Sequence, residues 1–136
     1  MGKIRVYTCF DTAHDQDLRE RLVSESRRAD SPFEVCDWSR AGDVATEAGR
    51  EGLRQRIQRV DGVVVLCGEH TDTADCVSAS VDIARQEDKP YFLLWGRSDC
   101  SCRKPRAARS LDGMYKWTWE MVKSRIRAGT AAQRAS

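Results

Sequence analysis

Asp61-Gly62-Val63-Val64-Val65-Leu66-Cys67-Gly68-Glu69-His70-Thr71 is the stretch whose reading decides the fold of this chain. Val63 to Cys67 is an unbroken apolar run in which three of five residues are valine. A run this short and β-branched suits a strand buried on both faces better than a helix. Such a strand belongs in the middle of a sheet covered by helices. In those sheets ligands sit beyond the carboxyl ends of the strands, and here that end carries Gly68, Glu69, His70 and Thr71. Two readings of these residues stay open: the rim of a functional site, or an ordinary polar turn.

Outward from this strand, β and α patterns alternate. On the amino side, Lys3 to Phe10 alternates Ile4, Val6, Thr8 and Phe10 with Arg5, Tyr7 and Cys9, a strand pattern. The polar loop Asp11 to Asp15 leads to a helix expected from about Asp15 to Arg28, ended by Ser31-Pro32. Phe33 to Cys36 reads as a short strand, and Glu47 to Val60 as a helix weakened by Gly49 and Gly52. On the carboxyl side a helix is expected from about Cys76 to Glu87, with Val77, Val81 and Ala84 on one face. Tyr91-Phe92-Leu93-Leu94-Trp95 is a second fully apolar run and hence another interior strand. A long basic loop follows, in which Arg97, Arg103, Lys104, Arg106 and Arg109 either face phosphate or are simply solvated. Gly113 to Trp117 suggests a short last strand or an extended entry to a helix, Trp119 to Ala128 a last helix, and residues 129–136 a flexible tail.

Strands alternating with helices imply an α/β three-layer sandwich with a mostly parallel sheet of roughly five strands. With right-handed connections the expected topology is flavodoxin-like, order 2-1-3-4-5, in one domain over residues 1–128. The loops after the first and third strands then flank the switch point, bringing Asp11 to Asp15 beside Gly68 to Thr71. No Gly-x-Gly-x-x-Gly or P-loop follows any strand, which argues against a standard dinucleotide or P-loop site.

Composition narrows the function classes. A net charge of +2 gives little reason to expect nucleic-acid binding. No apolar run approaches the roughly 18 residues that span a bilayer. The amino terminus shows no apolar signal region, so a cytoplasmic location is expected. Six cysteines could suggest a disulfide framework, but Cys9, Cys36 and Cys67 fall at strand ends and Cys76 at a helix start. Cys100-Ser101-Cys102 is a lone C-x-C without a second pair nearby, too little for a zinc site, and no metal is expected.

Several segments resemble, in order, one group of bacterial TIR-like proteins that includes the ThsB components of Thoeris antiphage defence. They are the strand ending Cys9-Phe10-Asp11, Ser31-Pro32-Phe33-Glu34 leading to Asp37-Trp38-Ser39, and the central strand ending Gly68-Glu69-His70-Thr71. Lys89-Pro90-Tyr91-Phe92 and Tyr115-Lys116-Trp117-Thr118-Trp119-Glu120 complete the set, so the resemblance spans Lys3 to Ile126. It implies the flavodoxin-like TIR fold and chemistry on NAD as a substrate, with no tightly bound cofactor. Catalytic members cleave the nicotinamide–ribose bond, and Thoeris members pass the ADP-ribose part into a signalling nucleotide that activates a separate effector. TIR domains also associate with one another.

In that family a glutamate on the third helix stabilises the oxocarbenium-like transition state. Alignment of Val81 and Ala84 with the family pattern puts Ser80 at the catalytic position. A neutral hydroxyl cannot replace a carboxylate there, so either the chain is a non-catalytic nucleotide- or protein-binding variant or another acid takes over. Asp82 points about 200° round the helix from Ser80. Glu69 and Asp11, at the strand ends, are better placed. His70 could donate a hydrogen bond or order its loop, and Phe10 and Trp38 either stack on a base or pack in the core.

Overall fold

A computed structural model of the chain describes residues 3–135, with side chains described as far as residue 131. The sheet has five strands: β1 Ile4–Cys9, β2 Phe33–Trp38, β3 Gly62–Cys67, β4 Tyr91–Trp95 and β5 Met114–Lys116. Their order is β2-β1-β3-β4-β5, and every neighbouring pair is parallel. This is the expected flavodoxin-like order. The helices are α1 Gln16–Ser26, α2 Glu47–Gln58, α3 Asp75–Gln86 and α4 Trp119–Ala135, with a single 3-10 turn at Thr71–Thr73. None of the helices is long and apolar enough to cross a membrane among the described residues.

The period of two along β3 divides the core in two. Val63, Val65 and Cys67 point to one side, where Leu53 and Ile57 of α2 and Val77, Val81 and Ala84 of α3 cover them. Val64 and Leu66 point to the other side, against Leu18 and Leu22 of α1 and Val122 and Ile126 of α4. All five of these β3 side chains are at most 2% exposed. The uninterrupted apolar run is therefore a requirement of two-sided burial. β4 is built in the same way, with Leu93 on the first side and Phe92 and Leu94 on the second.

Local contacts fix α2 and the start of α4. Thr46 caps α2 by accepting the Gly49 N–H at 3.0 Å. A Cβ on Gly49 would lie 2.6 Å from the Asp43 carbonyl oxygen, so this weak helix former is needed for close backbone approach. On the opposite layer Trp117 Nε1 donates to Glu25 at 2.7 Å while the Arg21 guanidinium lies 4.1 Å over its ring, fastening the start of α4 to α1.

Two boundaries differ from the sequence reading. β2 continues to Trp38 rather than ending at Cys36, because a register slip between Val6 and Tyr7 lets Asp37 and Trp38 still pair with β1. The last helix does not end at Ala128, and residues 129–135 continue α4 rather than forming a loose tail. Gly129 lies so close to Pro90 that a Cβ would come within 3.0 Å of the ring, and the missing side chain lets the helix pack down at the start of β4. Residue 136 lies outside the described residues.

Because Leu66 is fully enclosed in the central strand, Leu66→Ala is expected to lower stability by about 2–5 kcal/mol. Urea unfolding should show this as a lower midpoint at unchanged slope. A loss under about 1 kcal/mol would contradict the two-sided burial of β3.

Candidate functional site

The carboxyl ends of β1, β3 and β4 converge as the topology requires. After β3 the chain turns at once: the Gly68 N–H donates to the buried Thr71 hydroxyl at 2.7 Å, and the Gly68 carbonyl accepts the Arg103 N–H at 2.9 Å. A Cβ on Gly68 would fall 2.4 Å from Oδ2 of Asp15, so glycine is required for the carboxylate to lie against the backbone. After β4, the Gly96 N–H donates to the Cys67 carbonyl at 2.8 Å. A Cβ on Gly96 would meet that same oxygen at 2.7 Å.

Arg97 follows directly and clasps the loop after β1. Its Nε and Nη2 donate to Asp15 Oδ1 at 3.2 and 3.0 Å. Its Nη1 and Nη2 reach the two Asp17 oxygens at 3.0 and 2.7 Å, and Nη2 also donates to the His14 carbonyl at 3.0 Å. The Cys102 thiol sits behind this turn, accepting the Arg97 N–H at 3.4 Å and donating to the Arg97 carbonyl at 3.5 Å. Asp15 is the N-cap of α1, yet its side chain caps nothing, because Arg97 takes it.

Held by this clasp, the β1–α1 loop presents Asp11 and His14. Asp11 Oδ1 accepts the Ala13 N–H at 3.0 Å and Oδ2 lies 2.7 Å from His14 Nδ1. The His14 ring stacks on His70, with centroids 4.1 Å apart and planes at 29°. A carboxylate and two imidazoles therefore bridge the crevice between the β1 and β3 loops. Asp11 and His70 were both expected here, and the structure brings them together through His14. Sequence reading passed over His14 and counted Arg97 as one charge in a basic loop. The only signals for the clasp were an arginine directly after a strand-ending glycine and two aspartates at the start of α1.

The other expected residues divide. Glu69 is exposed beside His70. Thr71 is fully buried and ties the turn, so its hydroxyl serves Gly68. Phe10 is 0% exposed inside the α1 and α4 core, which leaves no ring face for a base. Trp38 is half-buried, with the Arg19 guanidinium 4.7 Å over its ring. Ser80 is 0% exposed and donates its hydroxyl to the Cys76 carbonyl one turn back at 2.8 Å. It faces inward with Val77, Val81 and Ala84, as the helical spacing predicts. Asp82 lies on the exposed side, paired with Arg85 at 2.7 Å.

The arginines of the basic loop are paired with acids, whereas Lys104 donates to the Ser110 carbonyl. Arg103 pairs with Asp72 at 3.6 Å, Arg106 with Asp75, and Arg109 with Asp112 at 3.4 Å. A phosphate entering here would have to displace carboxylates. No group of three or more His, Cys, Asp or Glu that could hold a metal occurs among the described residues. Burial pushes the Cys9, Cys67 and Cys76 thiols up, so none of the three is an ionised nucleophile at neutral pH. Compared with protein-family models and with curated proteins, the chain matches none.

Burial raises the Asp15 carboxyl above its ordinary value while hydrogen bonds from Arg97 oppose the shift. Removing Arg97 leaves the desolvation unopposed, so the folded-state value rises further above the unfolded one. An acid raised on folding is destabilising where it is ionised, and the penalty fades as pH falls towards the unfolded value of about 3.9. Arg97→Ala is therefore expected to lose more stability at pH 7 than at pH 4.5, measured by urea unfolding at both. A loss that is equal at the two pH values would remove Asp15 as its source.

Proposed function

We propose that the chain is a TIR-like module of Thoeris-type antiphage immunity, acting in the cytoplasm. It holds NAD or a related nucleotide at the carboxyl edge of the sheet and does not cleave it through residue 80. The β2-β1-β3-β4-β5 order agrees with what the motif resemblance implies, and the crevice at the switch point is where such folds take ligands. The observation that carries the non-cleaving part is the enclosure of Ser80, with no exposure and a hydroxyl committed to the Cys76 carbonyl. Cleavage of a nicotinamide–ribose bond develops positive charge on the ribose, which a carboxylate in contact with it stabilises. A neutral, enclosed hydroxyl supplies none of this. The absence of such a group commonly costs about a hundredfold or more in rate. On this reading the module acts by binding the nucleotide or by associating with another TIR domain, without turnover.

A second reading has its own observation. Asp11 keeps a carboxylate beside the β3 loop, 8% exposed and 2.7 Å from the His14 ring, which in turn stacks on His70. An acid beside an imidazole pair could stabilise the ribose cation and move a proton to or from water. On that reading Asp11 takes the role of the family glutamate and the product is an ADP-ribose-derived signal.

Incubation of the purified protein with NAD, followed by mass spectrometry and by calorimetric titration, separates the two. Binding without release of nicotinamide is expected, and Asp11→Asn should weaken that binding. Nicotinamide release that disappears in Asp11→Asn would replace the first reading with the second. Failure to bind NAD at millimolar concentration would overturn both.

Ser80→Glu tests the enclosure itself. A carboxylate forced into this unexposed position is expected to cost more than about 2 kcal/mol without creating cleavage. A stable Ser80→Glu protein that releases nicotinamide would show that position 80 does open to the ligand.

A further inference from the structure

At the amino ends of β1, β3 and β4, on the side covered by α4, a cavity of about 40 Å³ lies between strands and helix. Its apolar walls are Ile4, Val6, Val64, Phe92 and Ile126. Gly62 and Gly129, which lie against Pro90 without side chains, complete the enclosure. The polar groups beside it are mostly committed. The Thr130 hydroxyl donates to the Ile126 carbonyl at 3.1 Å, and the Tyr91 hydroxyl donates to Asp112. That leaves Arg125, half-buried in the wall. Its guanidinium lies 4.7 Å over the Tyr115 ring and makes no hydrogen bond or ion pair among the described residues. Nε is shut off from solvent and has no partner.

Buried polar groups are ordinarily paired, and a guanidinium drawn partly out of water without an acceptor is costly. An anion that reaches it offsets that cost. No acid among the described residues lines the cavity. Asp112 stands in an adjoining hollow that shares Tyr91, Phe92 and Arg125. It already accepts from the Tyr91 hydroxyl and the Arg109 N–H and pairs with the Arg109 guanidinium at 3.4 Å.

We propose that this cavity is a binding site for a short-chain aliphatic carboxylate, with its tail among Val6, Val64 and Ile126 and its head on Arg125. Size sets the tail. A volume of about 40 Å³ takes roughly three water-sized groups, which is room for a chain of about three carbons. Charge and shape set the head, since a planar carboxylate matches the fork of a guanidinium. A molecule of about six heavy atoms with one charged contact is expected to bind with a dissociation constant on the order of 1 mM. The site lies at the end of the sheet opposite the Asp11–His14–His70 cluster, so the assignment does not depend on the nucleotide reading.

The test is a titration of the full chain with sodium butyrate, n-butanol and n-butylammonium chloride at equal ionic strength, followed by methyl and arginine side-chain NMR. Butyrate is expected to shift the Ile4, Val64 and Ile126 methyls and the Arg125 Nε–H together, with saturation. Butanol should bind about tenfold or more weakly, because it lacks the charge-assisted contact. Butylammonium, repelled by Arg125, should leave these signals in place. Arg125→Met keeps an apolar stem and removes the charge, so butyrate should fall to the level of butanol. Arg125→Lys keeps the charge without the fork and should retain part of the difference. Equal affinity for butyrate and butylammonium would overturn the proposal. So would butyrate binding unchanged in Arg125→Met, shifts confined to the loops after β1 and β3, or no saturable shift by about 100 mM, far above the expected constant.

Discussion

Strand β3 has no side left for water, and the rest of the molecule is arranged to keep it so. Its odd and even residues enter two separate cores, one closed by α2 and α3 and the other by α1 and α4. A parallel sheet buried on both faces is covered by its crossover helices, which sets the alternation of elements from β1 to β4, whereas β4 reaches β5 through the loop 96–113 without a helix. The same constraint places every loop that carries polar chemistry at the ends of the strands. Only there does the backbone leave the apolar interior.

At the carboxyl end the main organising contact is Arg97 with Asp15. Its two arms differ in weight. The Asp17 arm is 62% exposed at the carboxylate and contributes little beyond geometry. The Asp15 arm reaches a side chain only 2% exposed, where an unpartnered carboxylate would be costly. That buried arm is what draws the loop after β4 onto the loop after β1 and seats Asp15 over Gly68. The glycine and the aspartate are mutually required, since any side chain at position 68 would occupy the space of the carboxylate. Presentation of Asp11 and His14 at the rim is downstream of this clasp.

The crevice between the β1 and β3 loops is rich in carboxylates, and the arginines nearest to it are spent on those carboxylates. A nucleotide held there would rely on hydrogen bonds from the crevice, and its phosphates would compete with internal ion pairs.

Reading the sequence was enough to obtain the layered fold, the strand order and the inward face of α3. Each follows from periodicity, which is a local property of residues a few positions apart. Ser80 was legible on the same grounds, because helical spacing from Val77, Val81 and Ala84 set its direction. Asp11 and His70 were placed near each other from their positions at strand ends. The enclosure of Phe10, the clasp of Arg97 on residues 80 or more positions away, and the bulge at Cys36 were not legible. Each depends on which distant groups meet once the sheet is assembled, and nothing in a local pattern states that. The alternation of apolar residues determined the scaffold, whereas charge pairing and close packing across the crevice, which exist only in three dimensions, decided which polar groups remain available for chemistry.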